Sequence, residues 1–486
     1  MALDDRGPQS PRLSRRHVIG TGLKAAGALG VIAVGTHEAA PAAAATQTAA
    51  NGGLTRAALD SLGKAYQFLD AMMDAYAQGT TLRLAQSYAD QSGLQTTAYA
   101  YDNALQIIAL LESQPAAMLL RRQSQNLARA RLLGDSLLYA QQHDPTYTDG
   151  RLRDAYFTNP FVLPNGTVSL AGNPFYFTGS SVGNMAWAGL ALVHLYAATA
   201  QQKYLDGARQ LGRWIVLHAY TTQGLGGYIG GVDANDNPLT YKSTEHNIDT
   251  YAFFTLLAAL TNDEVYIGLS QSWSSLAQHA LAFIHAMWDS TAGHFWTGSN
   301  PDGATINYYP IPEDVNTWSY LALRDPAYAA SIDWATSNLA VTDTPQAFNS
   351  SLTGNQHFSG VTFSNASLQA NPYVTPNSYT PKPDPSGVWF EGTAHAADAL
   401  LLRNASGDGD LATVYLWNIQ TAQAQLGQNQ TVGGKALPNG YGVVSASSPL
   451  DTGFGFDYFP NLHIGATSWY LMAAQEINPY QIRRDR

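Results

Sequence analysis

The fold is decided by a stretch that is apolar around its whole circumference, YAFFTLLAAL at residues 251–260. A second stretch of this kind is MAWAGLALV at residues 185–193. Helices that are hydrophobic on every side are buried on every side. Helical periodicity also runs through residues 116–142, but there Arg121 and Arg129 contribute to a polar face. The chain is therefore predicted to alternate between buried inner helices and amphipathic outer helices.

Twelve helices follow from the periodicity of the apolar residues. They are predicted at Arg56–Ala77, Thr96–Leu111, Ala116–Gln142, Val182–Thr199, Gln202–Ala219, Thr244–Leu260, Asp263–Trp288, Pro312–Leu323, Pro326–Leu339, Trp389–Leu402, Gly409–Leu426 and Leu462–Glu476. Ser181 and Ser243 are helix-start signals, and Pro312 opens the eighth helix. The connections alternate in length, since long loops lead into the even-numbered helices and only a few residues follow them.

Six hairpins, each with one outer and one inner helix, predict an all-α fold, an (α/α)6 toroid with the long loops on one face. These loops cover about 79–95, 143–181, 220–243, 289–311, 340–388 and 427–461. The N-termini of the inner helices meet the loops on that face, so binding residues are expected there. A helical-repeat solenoid is the alternative, but the unit lengths vary and no short motif recurs.

The first 45 residues are predicted to be an export signal and not part of the fold. Arg12, Arg15 and Arg16 precede an apolar run of small residues, and residues 42–45 supply a cleavage site of the A-x-A kind. The paired arginines favour a twin-arginine signal over an ordinary secretory one. We therefore expect one catalytic barrel at 46–486, periplasmic or secreted, with no membrane attachment after the signal is removed.

Composition excludes several classes of protein and site. The chain has 486 residues, no Cys and a formal net charge of −11. The lack of Cys excludes disulfides and thiolate chemistry, and the acidity argues against nucleic acid as a partner. Residues 233–237 resemble the start of a calcium loop, but Pro238 and Thr244 replace its required Gly and Glu. We expect no cofactor, no metal and a monomer.

Nearly every predicted inner helix begins with a carboxylate flanked by aromatic residues or His. The candidates for catalysis are Asp102, Glu245, Glu391 and Asp457. The candidates for substrate binding are Tyr101, Trp187, Tyr228, His246, Asp249, Trp318, Trp389, His395, Tyr458 and His463. Glu313 stands at the start of the fourth inner helix, and we expect it to converge with the four catalytic candidates on one end of the ring.

Each carboxylate has a purely structural interpretation, because an acidic residue in the first turn stabilises the helix dipole. That interpretation does not explain the large aromatic neighbours or the apolar helices behind them. A carboxyl group at the start of a buried helix has a raised pKa, as a general acid working near neutral pH requires. Aromatic rings beside carboxylates also suit a carbohydrate, whose C–H faces pack on the rings while its hydroxyls bind the carboxylates.

These motifs give the chain a family resemblance. Tyr101-Asp102-Asn103-Ala104-Leu105, Ser243-Thr244-Glu245-His246-Asn247 and Trp389-Phe390-Glu391-Gly392-Thr393-Ala394 resemble the six-hairpin, (α/α)6-barrel glycosidases. The likeness extends from about residue 54 to 477. By resemblance to the glucoamylase-like branch, Glu245 is the acid and Asp457 the base. Other branches imply Asp102 and Glu391, and the sequence does not choose between these pairs.

Three functions remain open on the sequence alone. A glycoside hydrolase acting on a neutral, glucan-like poly- or oligosaccharide is favoured, with a two-carboxylate mechanism and inversion of the anomeric centre. A polysaccharide lyase is an alternative, but the chain has only 25 Lys and Arg residues to bind an anionic substrate. The third is a non-catalytic carbohydrate-binding or polysaccharide-assembly protein, or an epimerase.

Overall fold

The computed structural model describes residues 54–91, 93–172, 177–369 and 382–482. All of them belong to one compact unit, 41–486. The predicted export signal at 1–45 lies outside the described residues. The α-helices are α1 Arg56–Met73, α2 Ala100–Glu112, α3 Gln114–Leu119, α4 Gln123–Gln142, α5 Val182–Thr199, α6 Gln202–Ala219, α7 Thr244–Thr261, α8 Trp273–Ala286, α9 Asp314–Leu323, α10 Ala330–Asn338, α11 Phe390–Arg403, α12 Asp408–Gln425 and α13 Ile464–Ala473.

The inner helices form a closed ring in the order α2, α5, α7, α9, α11 and α13, and α13 packs back against α2. Each inner helix also packs against one outer helix: α2 with α4, α5 with α6, α7 with α8, α9 with α10, α11 with α12 and α13 with α1. A solenoid would leave its two ends open. The chain is therefore an (α/α)6 toroid, and the predicted fold class is confirmed.

Short strands stiffen the loops of the toroid. They are β1 Thr97–Tyr99, β2 Ala155–Phe157, β3 Ser180–Ser181, β4 Gly231–Val232, β5 Pro238–Leu239, β6 Lys242–Ser243, β7 Trp288–Asp289, β8 His294–Phe295, β9 Gly298–Ser299, β10 Ile306–Asn307, β11 Ala340–Asp343, β12 Phe358–Val361, β13 Thr431–Val432, β14 Lys435–Ala436, β15 Leu450–Asp451 and β16 Asp457–Tyr458. The pairings are antiparallel: β1–β2, β3–β4–β5, β6–β9–β10, β7–β8, β11–β12, β13–β14 and β15–β16. Strands β1, β3 and β6 run straight into α2, α5 and α7, so strand pairing fixes where these inner helices begin.

The structure corrects three of the predicted helices. The helix predicted at 116–142 is two helices, α3 and α4, separated by a turn in which Arg121 has a φ of 55°. The helix predicted from residue 263 begins only at Trp273, because Asn262 and Asp263 both have left-handed backbone and end α7. The fourth inner helix begins at Asp314, two residues later than predicted.

Burial follows the two-ring arrangement. Large side chains such as Trp187, Trp214, Trp273 and Trp469 are fully buried between the rings or along the axis. In the described part of the chain, no helix combines the length and the apolar character needed to cross a bilayer. The long loops lead into the N-termini of the inner helices, as predicted, so any funnel must lie on that face.

Candidate active site

A cavity of about 900 Å³ opens among the N-termini of the inner helices. The predicted site residues that line it are Tyr101, Asp102, Trp187, Glu245, His246, Trp318, Trp389, Glu391, Asp457, Tyr458 and His463. They come from inner helices or from the residues that immediately precede them, so the ring brings together side chains that are far apart in sequence. The structure places all four catalytic candidates at one end of the ring.

Two predicted binding residues lie beneath the cavity. Asp249 and His395 each follow a cavity carboxylate, Glu245 or Glu391, by four residues, and one helical turn carries them about 6 Å deeper into the ring. Asp249 accepts a hydrogen bond of 2.9 Å from the hydroxyl of Tyr480. Both residues are buried and neither lines the cavity, so their expected placement at the cavity is wrong, and their contact with substrate stays a prediction.

The prediction for Tyr228 is also wrong. This side chain is fully buried, its hydroxyl donates to the carbonyl of Leu276 at 3.0 Å, and its ring packs edge-on against Phe254. It thus lies between the inner helix α7 and the outer helix α8. Its loop does reach the long-loop face, but the side chain turns away from the cavity.

The structure puts Asp314 at the cavity position that the sequence analysis expected for Glu313. Because α9 begins at Asp314, Asp314 faces the cavity and Glu313 turns into the ring. There the Glu313 carboxylate contacts Nδ1 of His395 at 3.1 Å. Glu313 therefore does not join the carboxylates that line the cavity. The proline-rich entry at residues 310–312 was the signal that the helix starts late.

One side of the cavity is formed by Glu245 of α7 and Asp314 of α9, which we call the acidic wall. Burial, with the charges of Asp314, Asp249 and Glu391 adding to it, raises the pKa of Glu245 well above its ordinary value. Burial also raises the pKa of Asp314, to about 7. Among the described residues, none donates a hydrogen bond to Glu245, so no partner stabilises its ionised form. The carboxyl group of Glu245 therefore keeps its proton to higher pH than an ordinary glutamate does.

The other side is formed by Tyr101, Asp102, Glu391 and His463, which we call the bonded wall. The hydroxyl of Tyr101 donates to Oε1 of Glu391 at 2.7 Å and accepts from the indole N–H of Trp469 at 3.1 Å. The backbone N–H of Ala466 reaches Nδ1 of His463 at 3.3 Å. This leaves Nε2 of His463 to donate to Oδ1 of Asp102 at 3.2 Å.

The residues of the bonded wall shift one another's pKa values. Burial raises the pKa of Glu391 to about 7. The positive charge that His463 carries when it is protonated and the Tyr101 hydrogen bond oppose this shift, and Asp102 adds to it. Burial opposes the charged form of His463, but Asp102 and Glu391 outweigh it and raise the pKa of that imidazole. Oε2 of Glu391 lies 3.5 Å from Nδ1 of His463 and has no hydrogen-bond partner in the described structure.

Asp457 reaches the cavity from the β15–β16 hairpin, which precedes the sixth inner helix. It pairs across the hairpin with Asp451. Burial and the charge of Asp451 raise the pKa of Asp457 to about 6. Oδ1 of Asp457 has no hydrogen-bond partner among the described residues. The next residue, Tyr458, stacks on Trp389 with ring centroids 5.8 Å apart, which holds the hairpin against the cavity.

The floor of the cavity is aromatic. Trp187 packs against Tyr101 and Trp318, each at 5.3 Å between ring centroids, and against Trp469 at 6.0 Å. On the rim, Tyr88 lies flat on His463 at 4.1 Å. The sequence analysis missed Trp469 and Tyr88. Trp469 lies within the apolar helix α13, where an aromatic residue is normally interpreted as part of the hydrophobic core.

The lining of the cavity contains carboxylates, imidazoles and aromatic rings but no Lys or Arg among the described residues. Lys242, the nearest cation in the sequence to Glu245, is buried and donates to the carbonyls of Gln223 and Gly303 at 2.6 and 2.8 Å. Within the described ranges, no group of three or more His, Asp or Glu residues is placed to hold a metal ion. The arrangement suits acid–base chemistry on a neutral, hydroxyl-rich molecule.

No family model and no curated protein sequence matches the chain. Solved structures do match its fold. Cellobiose 2-epimerase from Bacillus thermoamylovorans is 12% identical with a TM-score of 0.56, over 87% of this chain and 100% of that chain. A D-mannose isomerase is 12% identical with a TM-score of 0.56, over 87% of this chain and 97% of its own.

A mannosidase of glycoside hydrolase family 76 from Bacteroides thetaiotaomicron is 12% identical with a TM-score of 0.50, over 86% of this chain and 98% of its own. By their names, all three proteins act on carbohydrates, one by hydrolysis and two by rearranging a sugar. Identities this low establish architecture alone. With the ring described above, they show that the chain has the (α/α)6 toroid fold.

Proposed function

We propose that the protein is a glycoside hydrolase acting on a neutral poly- or oligosaccharide. The observation that carries this proposal is the pairing of Glu245, whose carboxyl group has a raised pKa, with Asp457, whose Oδ1 has no described hydrogen-bond partner, in one aromatic cavity. Their helices, α7 and α13, are third and sixth in the ring and so stand opposite each other. A substrate in the cavity would lie between them.

Glu245 has the properties of a general acid. Burial and the neighbouring carboxylates raise its pKa, and it has no described hydrogen-bond donor that would favour loss of its proton. In the proposed reaction this proton passes to the glycosidic oxygen as the bond from that oxygen to the anomeric carbon breaks. The leaving sugar departs as an alcohol, and Glu245 is left as a carboxylate.

Asp457 is the proposed general base. With a pKa of about 6, its carboxylate is mostly ionised at neutral pH, and Oδ1 is free to accept a proton. It takes one proton from a water molecule while the water oxygen bonds to the anomeric carbon on the face opposite the leaving group. This inverts the anomeric centre, a reaction that requires the two carboxyl groups to stand about 6.5–9.5 Å apart.

In this proposal the bonded wall binds the sugar and takes no part in cleaving the glycosidic bond. Glu391 and Asp102 are held by Tyr101 and His463, so their oxygens are fixed in position to accept hydrogen bonds from hydroxyls. The absence of Lys and Arg from the described lining favours a neutral sugar over a uronate. This composition argues against the lyase alternative, which needs a group to neutralise the substrate carboxylate.

The proposal is tested by incubating the protein with laminarin, hydroxyethyl cellulose, pullulan, dextran and yeast mannan. We expect new reducing ends from one of them, and proton NMR of the first product should show the anomer opposite to that of the cleaved bond. Asp457→Asn should abolish this release, while Asp410→Asn, an exposed position on α12, serves as the matched control. Release of an unsaturated product, or no release from any polymer, would count against hydrolysis.

A sugar 2-epimerase is the second candidate, favoured by one observation. Burial lowers the pKa of His246, which lines the cavity, to about 4, and its Nδ1 has no described partner. The ring is therefore neutral at pH 7 and able to take a proton from a sugar carbon. Incubation of cellobiose, mannose or glucose in deuterium oxide separates the two functions, because an epimerase incorporates deuterium at C2 and a hydrolase does not.

We also propose that the chain is exported through the twin-arginine pathway, on the strength of Arg15 and Arg16 before the apolar run. Replacing both by Lys should leave folded precursor in the cytoplasm. Normal export of that variant would indicate an ordinary secretory signal, with the final location of the protein unchanged.

A further inference from the structure

The exposed aromatic residues of the described chain are confined to one face. They are Tyr308, Tyr309, Phe348, Phe454 and Phe456, exposed by 42–62%. All lie in the long loops around the cavity. The exposed large aliphatic residues lie elsewhere, on α3, on α6 and in the α7–α8 connection, except for Leu368: Met118, Leu119, Leu217, Val265 and Ile267.

Four of these aromatic residues, with Trp296, form what we call the aromatic track: Phe456, Phe454, Tyr309, Tyr308 and Trp296. The track starts inside the cavity, because Phe456 lines it and packs against Tyr458 at 5.7 Å between ring centroids. Phe454 and Phe456 both contact Phe363, at 6.0 and 6.1 Å. The inner end of the track is therefore continuous with the wall that carries Asp457.

The outer end comes from a different loop that is locked against the first. A side chain at Gly453 would lie 2.9 Å from Cγ of Pro310, so the two loops touch, and Gly453 has a φ of 80°. Ser364 donates to the carbonyl of Thr452 at 2.8 Å, and Asn365 accepts from the N–H of Ile311 at 2.9 Å. These contacts join residues 308–312 to residues 451–456. Beyond them, Tyr308 packs edge-on against Trp296 at 4.8 Å.

Exposing these apolar rings to water is energetically unfavourable, and the packing of the fold does not require it. The same loops bury other aromatic residues, such as Phe363 and Trp389, so they are able to cover such side chains. An exposed line of rings that starts in a cavity and carries no Lys or Arg fits a flexible, uncharged, hydroxyl-rich chain, whose C–H faces pack on the rings. Aliphatic side chains do not offer that contact, and among the described residues of these loops Leu368 is the one exposed large aliphatic residue.

We propose that the aromatic track binds a polysaccharide chain outside the cavity, so that the natural substrate is a polymer several sugar units longer than the cavity holds. This inference rests on the proposed carbohydrate-active function and names the size class of its substrate. None of the five residues is assigned to acid–base chemistry, so the track should contribute to polymer affinity and not to turnover of a bound short substrate.

The experiment compares the wild-type protein with Y308A/Y309A/F454A in native gels that contain laminarin, hydroxyethyl cellulose, pullulan, dextran or yeast mannan. The matched control is L119A/V265A/I267A, which removes three exposed apolar side chains from the opposite side. We expect at least one polysaccharide to retard the wild type and the control equally. For the track variant, affinity for that polymer should fall by about tenfold, which corresponds to ~1.4 kcal/mol.

Turnover provides the second readout. With a trisaccharide of the same linkage as substrate, the track variant should keep the wild-type kcat and KM, while KM for the polymer rises. Equal retardation of the track variant and wild type, or no retardation of the wild type by any polymer, overturns the inference. Gel binding needs no bond cleavage, so wild-type retardation without reducing-end release would reject the hydrolase and leave the track in place.

Discussion

The acidic wall and the bonded wall each carry a glutamate at the start of an inner helix, but the two carboxyl groups have different neighbours. Glu245 and Glu391 are each the second residue of an inner helix, and burial raises the pKa of both. Glu391 has Tyr101 as a hydrogen-bond donor and the imidazole of His463 beside it, whereas Glu245 faces Asp314 and Asp249. Neighbours, and not burial alone, decide which carboxyl group keeps its proton.

The largest expected effect separates the two walls directly. Glu245→Gln should lower kcat on the natural substrate by at least ~10²-fold, since glutamine keeps the shape but cannot donate the proton. A glycosyl fluoride, whose leaving group needs little protonation, should be affected much less. Initial rates on both substrates measure this difference. Glu264→Gln, which lies outside the cavity beside Arg209, is the matched control.

The opposite pattern of rates in the two glutamate variants would reverse the proposed roles of the two walls. If Glu391→Gln abolishes activity on both polymer and oligosaccharide while Glu245→Gln keeps most of it, the bonded wall holds the acid. Glu245 would then only accept a hydrogen bond from a sugar hydroxyl. Thermal melts of both variants are needed beside the rates, because each carboxyl group is close to the core.

Tyr101→Phe tests whether the bonded wall works by holding Glu391. The change removes one hydrogen bond to a carboxylate, so kcat/KM should fall by about tenfold, the equivalent of ~1.5 kcal/mol. The loss should appear in KM more than in kcat, since Glu391 is proposed to bind hydroxyls. Tyr139→Phe, whose hydroxyl donates to Gly166 away from the cavity, is the control. A loss confined to kcat would contradict a binding role.

Asp451→Asn tests whether Asp457, which lies opposite the acidic wall, is the general base. The negative charge of Asp451 helps to raise the pKa of Asp457 to about 6. Removing that charge lowers the pKa, so Asp457 stays ionised at more acidic pH. The acidic limb of the kcat–pH profile should therefore move to lower pH by up to about one unit. A limb that does not move would show that Asp457 does not control it.

The smallest effect concerns stability. Asp314 has its pKa raised from 3.8 to about 7 by burial, so the folded state holds a proton that the unfolded state releases more easily. Its contribution to stability is complete below the ordinary value and is lost as pH rises through about 7. The Tm of the wild type should fall between about pH 4 and 7, and Asp314→Asn should reduce this fall by a few degrees. Asp302→Asn, at an exposed position, should leave the slope unchanged.

The ring was predictable because its signal is periodic. Apolar helices such as 185–193 have no polar face to place in water, so they had to lie inside, and the alternation of loop lengths placed the funnel. The convergence of Glu245 and Glu391 followed from shared helix polarity. Boundaries depended on local backbone: left-handed residues at 262 and 263 shortened one helix, and the late start of α9 exchanged Glu313 for Asp314.

The partners of the site residues could not be predicted from the sequence. His395 lies one helical turn below a cavity residue and contacts Glu313. The spacing of residues in the sequence does not show how far the cavity extends down the helix, so it does not show whether His395 faces the substrate or Glu313. Tyr228 stands in a glycine-rich loop of the right face, yet its side chain fills space behind α7. Pairings such as Tyr101 with Glu391 depend on the relative rotation of helices that are far apart in sequence.

Closure of the ring by α13 has a consequence for how the protein reaches its active form. Asp102 and His463, which are 361 positions apart, share a hydrogen bond, and α13 packs against both α2 and α11. The cavity is therefore incomplete on a ribosome until nearly the whole chain has emerged. Contacts of such long sequence separation make folding slow. The complete cavity forms only after α13 has docked, and a product truncated before α13 lacks it.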